Sequence, residues 1–323
     1  MSEITDYGKV FDILVAKTKE YLISNNLKAM VLGISGGIDS TVCAAVCHEV
    51  SKQTGIPLIG RSLPTKFNKE GETNTANLVG KAFCDDFKEV DLDLTYRKLA
   101  YDMAFQEGFI DNSGPFDFDK KLPKQTALAN GNIQARLRMI YLYNIASVYK
   151  GIVIDTDNLT EHNLGYWTIH GDVGDFNPIG GLWKTEVFEL AAWLVAEYYP
   201  KQYTYSNFVF DTVIFAKLDA VVESLKLKPT AGLGVTANDL EELGAESYEQ
   251  VDAILQEILA WKSFKDPDLA FKSLEEEKLA FLDEQQMLCY PIEVITAIAE
   301  RHFKSEFKRK KSPVKISRYL YIH

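Results

Sequence analysis

The string Gly33-Ile34-Ser35-Gly36-Gly37-Ile38-Asp39-Ser40 joins a short apolar run to an amphipathic stretch. Adjacent glycines let a backbone turn sharply and come close to a ligand. A helix opening there presents unpaired N–H groups and the positive end of its dipole. Such a turn suits a phosphate, with Ser35 and Ser40 as hydroxyl donors and Asp39 as a ligand for the magnesium that travels with a polyphosphate. The plain alternative is a strand-to-helix turn in which Asp and Ser act as local caps. The string lacks the Gly-Lys-Ser/Thr of a Walker A loop and the spacing of a G-x-G-x-x-G dinucleotide turn.

A second cluster spans Asp155-Thr156-Asp157-Asn158-Leu159-Thr160-Glu161, Gly165-Tyr166-Trp167, Gly171 to Asp175, and Pro178 to Thr185 with Lys184. A helix beginning near Asp157 puts Glu161 one turn on, with its carboxylate directed to the same strand ends as Asp39. Two carboxylates facing one phosphate chain make a magnesium bridge. The bland account gives Asp157 a capping role and leaves Glu161 on a solvated face. The neighbouring glycines and the cation of Lys184 favour a nucleotide pocket.

The elements that must position these residues follow from hydrophobic period. Ala29 to Ile34, Pro57 to Leu63, Phe87 to Leu92 and Gly151 to Thr156 read as strands, the first and last nearly continuous in apolar character, as expected of strands buried on both faces. Helical spacing recurs at Ile38, Val42, Ala45 and Val46, at Ile133, Leu137, Ile140 and Val148, and at Val187, Leu190, Ala191 and Leu194. This alternation predicts an α/β fold: an open, mostly parallel, Rossmann-like sheet with helices on both faces, binding ligands at the carboxyl ends of its strands. From Tyr198 the pattern is mainly helical. The expected organisation is a single domain over 1–323, made of an N-terminal helix (1–28), a nucleotide-binding α/β core (29–197), a helical C-terminal subregion (198–303) and a basic tail (304–323). Asn112 to Lys124 and Lys228 to Asp239 mix Gly, Pro and polar residues as lid loops do.

Composition narrows the function classes. Of 323 residues 46% are apolar, and 46 acids against 35 bases give a net charge of −11, which disfavours broad binding to nucleic acid. The longest apolar runs, such as Leu190 to Ala196, are too short to span a bilayer, so no membrane partner is expected. The N-terminus has no secretory h-region, and a cytoplasmic location is the expectation. Cys43, Cys47, Cys84 and Cys289 form no metal-ligand spacing and read as core residues.

The Ser35 turn resembles the pyrophosphate loop of the N-type ATP pyrophosphatases, whose fold is that of the adenine nucleotide alpha hydrolases. Together with Thr156-Asp157-Asn158-x-x-Glu161, Asn177-Pro178-Ile179-x-x-Leu182-x-Lys184 and Pro229-Thr230-Ala231, in that order, it resembles the ammonia-dependent NAD synthetases over roughly Asn25 to Pro313. That resemblance implies ATP-dependent amidation of deamido-NAD through an acyl-adenylate, releasing AMP and pyrophosphate. It assigns ATP to Gly33, Ile34, Ser35, Gly36, Gly37, Ile38, Asp39, Ser40, Thr156, Lys184 and Thr230. It assigns magnesium to Asp39 and Glu161, and catalysis to Asp39 and Lys184.

Arg136 alone reads as an exposed helix charge, Tyr166 as a core aromatic and the tail as a solvated arm. The resemblance gives Arg136, Tyr166, Asp175, Phe307 and Lys308 to deamido-NAD, with Lys308 reaching over from a partner chain in a homodimer. No glutaminase Cys with partnered His and Glu is apparent, so ammonia is expected free or from a separate protein. Departures are Ile169 for a lysine, Leu128 for an aromatic, Phe307 for a histidine and Gly232 for an aspartate. The Gly171 to Asp175 loop is also one residue short, and Tyr198 to Lys228 is long. The rivals are another adenylating amidotransferase of this class and a non-catalytic nucleotide sensor.

Overall fold

Strands β1 (Met30–Gly33), β2 (Leu58–Ser62), β3 (Asp86–Glu89) and β4 (Ile152–Ile154) alternate with helices in a computed structural model. It describes residues 4–65, 68, 70–108, 124–202, 208–227, 239–264, 273–284, 290–309 and 314–315. Helix α1 (Tyr7–Ser24) precedes the sheet, and α2 (Ile38–Thr54), α3 (Glu70–Phe83), α4 (Asp93–Gln106) and α5 (Lys124–Tyr149) lie between strands. After β4 come α6 (Leu159–Leu164), β5 (Phe176–Asn177), α7 (Lys184–Trp193), a π-helical turn at Leu194–Tyr198 and α8 (Tyr199–Lys201). The remainder is helical: α9 (Phe208–Lys226), α10 (Asp239–Leu243), α11 (Tyr248–Phe264), α12 (Leu274–Glu284), α13 (Ile292–Lys304) and α14 (Glu306–Arg309), closed by β6 (Val314–Lys315).

The described strands form one sheet in the order β3-β2-β1-β4-β5-β6, and every pairing is parallel. The expected strands are present with shifted ends, and two short ones, β5 and β6, join them. The last belongs to the basic tail: Val314 and Lys315 pair with Phe176 and Asn177. Both faces are covered, which explains the continuous apolar character of β1. Met30 and Leu32 enter one cluster with Leu14 of α1, Val46 of α2, Leu190 of α7 and Val221 of α9. Val31 enters the opposite cluster with Tyr96 of α4, Leu142 of α5 and Val153 of β4. A third cluster joins α11, α12 and α13 through Ile254, Phe281 and Ile298, and takes in Leu164 of α6 and Trp183 ahead of α7.

Strand order reverses between β1 and β4, so the loops after these two strands diverge and leave a crevice at their carboxyl ends. Among the described residues no helix is long and apolar enough to cross a membrane. Cys43 and Cys47 are buried and Cys84 is partly buried against the core; Cys289, Thr230, Gly232 and nearly all of both expected lids lie outside the described residues.

Candidate active site

The glycine turn sits in the crevice. Gly36 has φ +85°, and a Cβ there would lie 2.5 Å from the Glu72 carbonyl and 2.8 Å from the Ala76 nitrogen of α3. Only glycine fits both the torsion and the space. Gly37 caps α2 with extended torsions, and its carbonyl accepts the first intrahelical bond from Thr41 N at 3.1 Å. The amides of Ile38, Asp39 and Ser40 therefore precede the ladder and face out of the helix end. The two serines brace the turn: their hydroxyl oxygens lie 3.1 Å apart, Ser40 Oγ donates to Gly37 O at 2.9 Å, and Gly37 N donates to Ser35 Oγ at 3.2 Å.

Across the crevice, α6 and α7 bring two further groups to Asp39. Lys184 Nζ is 2.5 Å from Asp39 Oδ2 and 3.1 Å from Glu161 Oε1, with the lysine side chain only 1% exposed. Asn158 holds the same two acids from the other side: its Nδ2 donates to Asp39 Oδ1 at 2.9 Å, and its backbone N–H donates to Glu161 Oε2 at 3.4 Å. Burial works against charging Lys184, but Asp39 and Glu161 outweigh it, and the ammonium titrates well above its usual range. Glu161 is raised to about 7, by burial first, with Lys184 opposing and Asp39 adding to the rise.

Asp39, Glu161 and Lys184, singled out from sequence, are thus brought together. The helix start is corrected: the cap is Asn158, not Asp157, because Asn158 Oδ1 accepts from Glu161 N and Glu161 returns the bond in a capping box. Glu161 therefore both caps α6 and faces Asp39. Thr156 follows β4, its N–H donating to Asp155 Oδ1 at 3.0 Å.

The residues given to the second substrate gather around the loop after α6. Arg136 Nη2 donates to Ile169 O at 3.1 Å, so the backbone of that position engages α5 although its side chain is not a lysine. Asp175 Oδ1 accepts from Tyr143 OH at 2.8 Å. The Tyr166 ring lies under the Arg301 guanidinium at 4.3 Å, and its hydroxyl is pushed up, by burial first and by Glu242 next. Lys308 Nζ donates to Gly165 O at 2.6 Å and Trp167 O at 2.5 Å of its own chain. Phe307 is 59% exposed.

Sequence reasoning missed four site residues. Asn158 carried a readable signal, the N-x-x-E spacing of a capping box. Tyr248 of α11 places its ring 5.7 Å from Lys184 Nζ and its hydroxyl 3.3 Å from Asp239 Oδ2. Asp252, one turn on, accepts from Thr185 N at 3.0 Å. Nothing local marks Tyr248, Asp239 or Asp252, since each meets the site only through tertiary packing.

The partly buried carboxylates of Asp39 and Glu161 supply hard oxygen donors of the kind magnesium takes together with substrate phosphates. Among the described residues no set of three or more acidic, His or Cys side chains encloses a metal. Two carboxylates suit an ion that takes its other ligands from a phosphate chain.

A parallel sheet with a helix-capping glycine turn at its switch point, facing a lysine and two carboxylates, defines a nucleotide-using α/β protein of the phosphate-turn type. The chain belongs to the NAD synthase family, whose model matches residues 10–312. It is 31% identical to the NH(3)-dependent NAD(+) synthetase of Finegoldia magna over 84% of this chain and 93% of that one. The Helicobacter pylori protein of the same name is 29% identical over 94% of each chain. In structure the chain is similar to NMN synthetase from Francisella tularensis, with a TM-score of 0.64, 25% identity and coverage of 96% and 98%.

Proposed function

We propose that the protein is a ligase that forms a C–N bond, converting deamido-NAD, ATP and ammonia to NAD, AMP and pyrophosphate. Membership of the NAD synthase family supports this over another amidotransferase or a sensor. The observation that carries it is the Lys184 ammonium held between Asp39 and Glu161 beside the free amides of α2.

In this reading the phosphates of ATP lie on the Gly33–Ser40 turn, with Thr156 and Thr230 as further contacts. A carboxylate oxygen of the pyridine ring attacks the α-phosphorus; that O–P bond forms as the bond to the bridging α–β oxygen breaks, and pyrophosphate departs. Lys184 and the amides of Ile38 to Ser40 offset the charge that builds on the leaving group. Asp39 and Glu161 would hold magnesium, which would supply charge neutralisation along the phosphate chain. Ammonia nitrogen then bonds to the acyl carbon, the acyl–phosphate oxygen bond breaks to release AMP, and one proton is lost. Arg136, Tyr166, Asp175, Phe307 and Lys308 orient the acid. For Lys308 this requires exchanging its bonds to Gly165 and Trp167 for substrate. The stripe Arg136, Ile140, Asn144 and Val148, exposed at four-residue spacing along α5, supports a homodimer built on this helix.

The end-to-end likeness to NMN synthetase favours a second reading, in which the acid is the mononucleotide. The substitutions at Ile169, Leu128 and Phe307 all fall on the acid substrate's side. Turnover with ATP, magnesium and ammonium, offered either deamido-NAD or nicotinic acid mononucleotide, separates the two. The leading reading expects AMP and NAD in equal amounts with the dinucleotide and a kcat/KM at least about tenfold lower with the mononucleotide, a gap of about 1.4 kcal/mol. The reverse preference establishes the second reading, and ATP binding with no amide from either acid contradicts both.

A further inference from the structure

Asp252 lies outside the crevice, in the second turn of α11, and is 2% exposed. All its described bonds run to the two segments that carry catalytic groups. Oδ2 accepts from Thr185 N at 3.0 Å and from Thr185 Oγ1 at 2.8 Å. Oδ1 accepts from the Thr160 hydroxyl, and Thr160 Oγ1 in turn accepts from Lys184 N at 2.8 Å. Trp183, the cap residue of α7, donates its backbone N–H to Glu186 Oε2 at 2.9 Å in a capping box. The first two amides of α7 are satisfied from outside, one by Thr160 and one by Asp252.

We propose that Asp252 is a positioning residue for the reaction, fixing the start of α7 and the second residue of α6 so that Lys184 meets Asp39 and Glu161 at once. A carboxylate suits the task, since its two oxygens accept from both segments while Thr160 passes the bond on to Lys184. Burial raises the Asp252 carboxyl to about 6, so it is charged at neutral pH; as an anion it also complements the positive end of α7. Tyr248 sits one turn earlier on the same face of α11 and walls Lys184 with its ring. Helix α11 thus reaches the site twice, and the helical subregion sets catalytic geometry as well as burying apolar surface.

The proposal rests on the reading that Lys184 acts on the phosphate chain. The test compares Asp252→Asn, Thr160→Val and Lys184→Met by thermal midpoint, KM for ATP and kcat for AMP release. Asp252→Asn keeps an acceptor for Thr185 and loses the one for Thr160. It is expected to fold with KM within about threefold of the parent, while kcat falls about 10- to 100-fold, the scale of a small misplacement of a catalytic group. Thr160→Val breaks the same chain from its other end, and should lower kcat similarly without compounding the loss when combined with Asp252→Asn. A lowered midpoint with unchanged kcat, or a change in KM alone, in either variant overturns the proposal. Should Asp252→Asn not fold, Thr160→Val alone carries the same two outcomes. If Lys184→Met keeps full turnover, the reading of Lys184 fails; if Lys184→Met is inactive and both other variants are normal, only the role of Asp252 fails.

Discussion

Gly36 and Lys184 represent two kinds of information in one site. Gly36 is a local necessity: its positive φ costs a residue with a Cβ about 1–2 kcal/mol, and the Cβ would also collide with α3. Gly55 ends α2 with a similar φ of +72° and open space around it. Gly36→Ala is therefore expected to lose at least about 2 kcal/mol more than Gly55→Ala, by denaturant unfolding, and to lose ATP binding. Equal losses contradict the close packing of the turn on α3. The glycine signal was legible in sequence because it acts through backbone torsion at its own position. Lys184, 145 positions from Asp39, was legible only as part of a longer pattern.

At the scale of elements, α6 is short and needs support at its C-terminal end. Asn163 O accepts from His302 Nδ1 at 3.1 Å, Ser305 Oγ at 3.4 Å and Arg309 Nη1 at 2.9 Å. Leu164 O accepts from Arg301 Nε at 2.9 Å. The segment from Arg301 to Arg309 thus closes carbonyls that a six-residue helix leaves open, with cations at its negative end. His302 is 1% exposed and lowered to about 3, by burial first, then by Arg309 and Lys262. A depressed pKa favours the neutral ring in the fold. Its contribution is complete above the unfolded value of 6.5 and is lost as pH falls toward 3. Between pH 7 and 5 this residue should cost the protein about 2 kcal/mol. His302→Asn removes the titration, and urea unfolding should show the gap between parent and variant narrowing by that amount; a constant gap contradicts a neutral buried ring. Sequence reading found α2, α5 and α7 by their helical spacing and the four strands β1 to β4, most plainly β1 and β4, whose burial on both faces writes a continuous apolar pattern; it did not single out α3 or α4. It could not find β5 and β6, because two-residue strands have no period and exist only by pairing. For the same reason the tail read as a solvated arm, although part of it extends the sheet.

At the scale of the whole molecule, the parallel sheet does one thing for function: its order reverses between β1 and β4, and the two loops that carry the glycine turn and the Asn158–Glu161 capping box open on one crevice. The helical layer then adds Tyr248 and Asp252 from behind. Alternation of strands and helices made the crevice predictable, whereas the closure of α11 onto it depends on packing that no periodicity records. In the proposed reaction this crevice directs a carboxylate onto the α-phosphorus of ATP. The most direct measurement uses acid substrate labelled with oxygen-18 in its pyridine carboxylate, with ATP, magnesium and ammonium, and mass analysis of the products. One labelled oxygen is expected in AMP and none in pyrophosphate. Label in inorganic phosphate with ADP formed, or amide made with unlabelled AMP, would contradict that reaction.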